Sequence, residues 1–119
     1  MELEQYQHSA LSTVVFPEEW GIAYCALKLN GEAGEVAEEV GKAIRAGELV
    51  FPMGSASRDS GPGTVHEKLR EALRDELGDV LWYVAVLAHQ LNYSLEEIAT
   101  ANLAKLQARK QRGELKHHR

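Results

Sequence analysis

Two long runs of this chain carry apolar side chains at helical spacing, and neither shows the strict alternation of a half-buried strand. From Pro17 or Glu18 to about Arg45 the apolar positions are Ile22, Leu29, Ala33, Val36, Val40 and Ala43; from Thr64 to about Leu91 they are Leu69, Leu73, Leu77, Val80, Leu81, Val84, Leu87 and Leu91. Two such stripes must each be buried, and laying helix against helix does this within a short chain. Leu3, Tyr6, Ala10 and Leu11 predict a shorter helix over 2–13. Leu95, Ile98, Ala99, Leu103 and Leu106 predict a fourth, fading near Lys110 and stopped by Gly113. The fold class expected is therefore all-α, a four-helix arrangement forming one domain over 1–111, followed by a basic tail at 112–119.

The punctuation agrees with these boundaries. Pro17 suits the first turn of a helix, and Glu18 and Glu19 behind it complement the helix dipole. Thr64 with Glu67, and Ser94 with Glu97, have the spacing of capping boxes. Gly47 is a C-terminal stop. Gly31, Gly34 and Gly41 each cost the helix that contains them about 0.5–1 kcal/mol relative to Ala, so they either permit close approach by a neighbouring helix or a substrate or merely weaken the helix; close approach is the reading preferred. Between the long runs, 48–63 concentrates Pro, Gly and Ser and reads as a long flexible loop, either closing over a site or simply disordered, with an ordered contact near Leu49, Val50 and Phe51. Its glycines lack the spacing of a phosphate-binding P-loop and have no Lys-Ser or Lys-Thr after them.

Composition narrows the function classes. Hydrophobic residues at 45% and charged residues at 26% describe an ordinary globular protein. A formal charge of −5 argues against a general nucleic-acid surface, and the basic stretch from Lys105 to Arg119 reads as a solvated C-terminus. The single cysteine, Cys25, excludes an intrachain disulfide and a multi-thiolate zinc site, and its apolar neighbours predict a buried small side chain in preference to a nucleophile. No basic-then-apolar leader and no apolar stretch of membrane length is present, so a cytoplasmic protein is expected. His8, His66, His89, His117 and His118 do not point to another metal chemistry: neither acidic pair has the Glu-x-x-His form of a di-iron bundle, the terminal His117-His118 pair reads as solvated, and no convincing Ser-His-Asp set is formed.

What remains is acidic. Glu32-x-x-Glu35 and Glu76-x-x-Asp79 each place two carboxylates on one helix face. With Glu32 at zero on a helical wheel, the first apolar stripe centres near about 80 degrees, while Glu35 and Glu39 fall at about −60 and −20 degrees. With Glu76 at zero, the second stripe centres at about 60 to 80 degrees, and Asp79 and Tyr83 fall near −60 and −20 degrees. Either pair alone is an ordinary solvated face. Two pairs on matching flanks of two core stripes can meet across a helix contact as four oxygen donors, which suits a hard cation and first of all Mg2+. Asp79 lies among Leu77, Val80 and Leu81, a setting in which an unpaired anion is unfavourable.

The stretch Leu29-Asn30-Gly31-Glu32-Ala33-Gly34-Glu35-Val36-Ala37-Glu38, followed by Glu76-Leu77-Gly78-Asp79-Val80-Leu81-Trp82-Tyr83, resembles the signature of the MazG-like all-α nucleotide pyrophosphohydrolases. That superfamily includes dimeric dUTPases, dCTP pyrophosphatases and phosphoribosyl-ATP pyrophosphohydrolases. The resemblance extends from Tyr6-Gln7 to Asn102-Leu103-Ala104-Lys105-Leu106. It departs at Gly31, where many relatives have a further glutamate, and this leaves open a shift of ligation to Glu39 and the number of ions.

The resemblance implies a Mg2+-dependent enzyme, with Mn2+ as a substitute, that splits a nucleoside triphosphate into monophosphate and pyrophosphate. It makes Glu32, Glu35, Glu76 and Asp79 the metal ligands, and Glu35 is the candidate to take the proton of the attacking water. Lys105 would contact phosphate and Asn102 would help hold it; Lys28 and Arg109 are weaker phosphate candidates. Tyr83 reads either as a contact to the sugar or as interface packing, and Trp20 as a base-stacking or a packing aromatic. The implied assembly is a homodimer or homotetramer that completes the bundle, and the implied role is nucleotide housecleaning. Two other readings stay open: a noncatalytic helical dimerisation or regulatory module, and phosphoribosyl-ATP hydrolysis.

Overall fold

The computed structural model describes residues 1–49 and 66–114. These form α1 (Leu3–Leu11), a 3-10 turn (Glu18–Trp20), α2 (Gly21–Arg45), α3 (Glu67–Gln90) and α4 (Leu95–Gln111). The fold is all-α with four helices, and the described residues contain no strand. No helix among them is long and apolar enough to cross a membrane. The expected capping residue Thr64, most of the expected loop at 48–63, and His117 and His118 lie outside the described residues.

Local chemistry sets the helix ends. Ser94 caps α4 reciprocally: the Glu97 N–H donates to Ser94 Oγ at 3.0 Å, and the Ser94 N–H donates to Glu97 Oε1 at 2.9 Å. At the start of α1 the Glu2 N–H donates to Gln5 Oε1 at 2.7 Å. α3 begins at Glu67, later than the Thr64-Glu67 box would place it, and His66 Nδ1 accepts from the Lys68 N–H at 3.2 Å in the capping position. The predicted start of α2 also shifts. Pro17 precedes a 3-10 turn, closed by the Trp20 N–H to the Pro17 carbonyl at 3.1 Å, and the α-helix itself opens at Gly21.

Three helices end in the same way. Gly47, Asn92 and Gly113 have φ of 76°, 64° and 72°. The next N–H in each case reaches back across the last turn: Glu48 to Ala43 at 2.8 Å, Tyr93 to Ala88 at 2.8 Å, and Glu114 to Arg109 at 2.8 Å. A left-handed residue with this hydrogen bond satisfies terminal carbonyls and turns the chain away, as expected for Gly47 and Gly113.

The chain divides into two compact units, one of Met1–Ile22 with Ala85–Arg119 and one of Ala23–Val84. In the first, α1 packs against α4, and Ala10, Ala85, Val86, Ala88 and Leu95 are buried. Gln7, also buried, is fully used: Nε2 donates to the Ala85 and Tyr93 carbonyls at 3.0 and 3.1 Å, and Oε1 accepts from the Leu95 N–H at 3.1 Å. It ties α1 to the end of α3 and the beginning of α4. In the second unit α2 and α3 pair antiparallel, because Tyr24 meets Tyr83 at one end while Ala43 and Leu49 bury Leu69 at the other, flanked by Val40 and Leu73.

Two expectations about packing are corrected. A Cβ at Gly31 or Gly34 would meet nothing, and at Gly41 only the guanidinium of Arg45 on the same helix, because these glycines sit away from the paired face. The glycine under close approach is Gly21, where a Cβ would collide with the Gln90 side chain. The buried stripe is also rotated toward the acids. Ile22, Ala33, Leu77, Leu81 and Leu91 are exposed, whereas Cys25 is fully buried and Glu32, Glu39, Glu76 and Tyr83 are half-buried. The wheel centred each stripe on all its apolar residues, but the paired helices cover only the flank nearest the carboxylates.

Candidate metal centre

Antiparallel pairing of α2 and α3 places the middle of each helix opposite the middle of the other, and the acidic spacings occupy those middles. One carboxylate oxygen each from Glu32, Glu76 and Asp79 lies within 4.8 Å of the other two. Glu32 and Glu76 are half-buried, while Asp79 is exposed. The apolar neighbours of Asp79 do not bury it, because Leu77 and Leu81 are themselves open, at 56% and 41%.

The electrostatics follow from this crowding. Partial desolvation first, then the charges of Glu35, Asp79, Glu32 and Glu39, push the Glu76 carboxyl above its ordinary value of 4.5. Glu35 itself is exposed and is not among the three converging carboxylates. Glu39 forms a long ion pair with Lys42 at 3.8 Å, as does Glu38, and both are contacts of small energetic weight. A cleft of about 280 Å³ shares Glu39 and is lined further by Lys42, Ala43, Glu48, Lys68 and Leu69, two acids against two bases.

An oxygen-only set of three carboxylates from two helices fits a hard divalent cation, whose charge would relieve the repulsion that raises Glu76. Among the described residues, no histidine or cysteine joins the group. Cys25 is buried nearby in sequence but not in chemistry, since burial pushes its thiol up and away from the reactive thiolate.

The remaining predicted residues are placed as follows. Tyr83 is half-buried on α3, with its ring 6.3 Å from that of Tyr24 and edge-on to Trp82 at 4.8 Å. Burial first, and next its hydrogen bond with Tyr24, push the Tyr83 hydroxyl up to about 12. Lys28 is exposed on α2, and Trp20 is 64% exposed in the 3-10 turn. Asn102, Lys105 and Arg109 are exposed on α4, in the unit that does not hold the three carboxylates. Tyr24, whose ring meets that of Tyr83, was not singled out in the sequence. Its signal was available, because on the helical wheel it falls on the flank that carries Glu35.

The model of the MazG nucleotide pyrophosphohydrolase domain matches residues 23–113. The chain belongs to this family. The matched segment contains α2, α3 and α4, and so all three converging acids. A similar relative is the Gene 37 protein of Mycobacterium phage L5, 38% identical over 119 aligned residues that cover 95% of this chain and 92% of that protein. No solved structure matches the chain.

Proposed function

We propose that the chain is a Mg2+-dependent hydrolase of a nucleoside triphosphate, a deoxynucleotide or a noncanonical nucleotide, yielding the monophosphate and pyrophosphate. The observation that carries this reading is the convergence of Glu32, Glu76 and Asp79, in a chain whose family is described by nucleotide pyrophosphate hydrolysis. In the proposal Glu32, Glu35, Glu76 and Asp79 hold the cation, with Glu39 as a further ligand on the same face. When bound, Mg2+ supplies charge neutralisation for the triphosphate oxygens and a fixed geometry for in-line attack by water.

The chain's own groups supply the rest. Glu35, exposed and one helical turn from Glu32, takes the proton of the attacking water. Lys105 and Asn102 hold phosphate, Lys28 and Arg109 add positive charge, Tyr83 offers a hydroxyl to the sugar, and Trp20 offers an open aromatic face to the base. Exposed Leu27, Leu77 and Leu81 on the α2–α3 pair, and Ile98 and Leu103 on α4, support a homodimer or homotetramer, because apolar surface of this kind is ordinarily covered.

The test is a panel of ribo-, deoxy- and modified nucleoside triphosphates with Mg2+ or Mn2+, reading monophosphate and pyrophosphate directly, with phosphoribosyl-ATP as a separate arm. Both products from at least one triphosphate are expected. Neither product from any of them overturns the hydrolase reading and leaves a noncatalytic helical module. Asp79→Asn should lower turnover by about two orders of magnitude, the scale of losing one electrostatic stabiliser, while the chain stays folded. Unchanged turnover removes Asp79 from the mechanism.

A further inference from the structure

The carboxylates sit between two different ends of the α2–α3 pair. At one end are Tyr24 and Tyr83, whose rings lie 6.3 Å apart. At the other, a cleft of about 280 Å³ opens among Glu39, Lys42, Ala43, Glu48, Lys68 and Leu69. Antiparallel pairing therefore lays three features in order along the helices: the tyrosines, then Glu32, Glu76 and Asp79, then the cleft. Glu39 joins the last two, because it lies two turns after Glu32 on the same face and also lines the cleft.

The two lysines enter this cleft from different helices. Lys42 reaches from α2 back toward the acids, its Nζ 3.8 Å from both Glu38 and Glu39. At that length neither carboxylate holds it tightly. Lys68 comes from α3 and makes no ion pair among the described residues. The apolar part of the lining, Ala43 and Leu69, is buried, and a low-dielectric wall strengthens the charges beside it. Two acids offset the two bases while Glu39 faces the cleft. Engaged as the further cation ligand proposed above, Glu39 leaves Lys42 and Lys68 against Glu48 alone, and the balance turns positive. The volume is just under the roughly 300–1,000 Å³ of pockets that enclose a whole small ligand, so the cleft suits one end of a nucleotide. Two flexible ammonium groups suit the phosphate end.

We propose that this cleft receives the β- and γ-phosphates of the nucleotide, with Lys42 and Lys68 donating to the pyrophosphate that leaves. The inference rests on the hydrolase reading above and gives it a direction, with the nucleoside toward Tyr83 and the terminal phosphates toward Lys42. Cleavage between the α- and β-phosphates leaves negative charge on the pyrophosphate, and positive charge at that end favours its departure.

Inorganic pyrophosphate with Mg2+ is the probe, its Kd read by titration calorimetry. The monophosphate product of the most active nucleotide of the panel is the control ligand. Lys42→Gln and Lys68→Gln change exposed side chains and leave the helices intact. Arg74→Gln removes an exposed base outside the cleft and reports the effect of one lost charge by itself. Each lysine variant should raise the pyrophosphate Kd about five- to twentyfold, the scale of a hydrogen bond to a charged group at an exposed site. Monophosphate binding by these variants, and pyrophosphate binding by Arg74→Gln, should stay within about twofold of native. Lysine variants that bind pyrophosphate as well as Arg74→Gln does overturn the proposal. So does a loss confined to the monophosphate, which would put the nucleoside in the cleft, and so does nucleotide turnover by a native chain that binds no pyrophosphate. If the native chain neither turns over any triphosphate nor binds pyrophosphate, the hydrolase reading itself fails.

Discussion

Glu76 concentrates the conflict from which the site is built. Its carboxyl is raised by desolvation and by four neighbouring acids, so ionising it is harder in the folded chain than in the unfolded one. Glu76→Gln should therefore stabilise the metal-free chain at neutral pH while weakening divalent-cation binding; thermal melts with and without Mg2+ read both effects. A variant less stable than native without metal would show that the crowding is not repulsive. Gln7 is the opposite kind of polar residue, buried with every group of its amide occupied. Gln7→Leu keeps similar bulk but strands two carbonyls and one N–H, so a loss of roughly 2 to 3 kcal/mol is expected in urea unfolding. A loss below about 0.5 kcal/mol would mean that water replaces the amide. Neither behaviour is visible in the one-dimensional pattern, which marks Glu76 as a motif acid and Gln7 as one more polar residue.

At the scale of the helices, the ends were the most readable part. Ser94 with Glu97 forms the reciprocal cap that its spacing predicts, and Gly47 and Gly113 take the left-handed conformation. Capping depends on residues three apart, so the neighbours that decide it are already in the local sequence. Ser94→Ala should cost about 1 kcal/mol, read as a lower denaturant midpoint with an unchanged slope. Approach of a neighbouring helix of the same chain to Gly31, Gly34 and Gly41 was misread for the complementary reason. Close approach is a property of what lies across the helix, and only Gly21, facing Gln90, has such a neighbour.

For the whole molecule, the carboxylate cluster should couple folding to pH and, with the cation proposed above, to divalent metal. A carboxyl whose pKa is raised in the folded state contributes stability below its unfolded pKa and loses it as pH rises through the folded value. The metal-free chain should therefore lose stability as pH climbs from near 4.5, the ordinary glutamate value, and Mg2+ should restore it at neutral pH. Melts across pH 4 to 8 with Mg2+ or a chelator check this; a metal-free chain that gains stability over the lower part of that range would contradict the sign. Solution mass tests the proposed assembly, in which exposed Leu27, Leu77 and Leu81 become covered. A monomer at working concentration would count against it.

Apolar periodicity, caps and stops were enough to define four helices and their approximate limits, because helix formation and termination depend on neighbours within one or two turns. The acidic spacings were likewise enough to place each pair on one face of its own helix. Which carboxylates converge was decided only by the tertiary structure. Antiparallel pairing of α2 with α3 turned the acidic flank inward, half-burying Glu32 and Glu76, leaving Asp79 open and setting Tyr24 against Tyr83. The physical reason is that rotation of one helix about its axis against another depends on side chains far apart in the chain, and no spacing within a single helix contains that information.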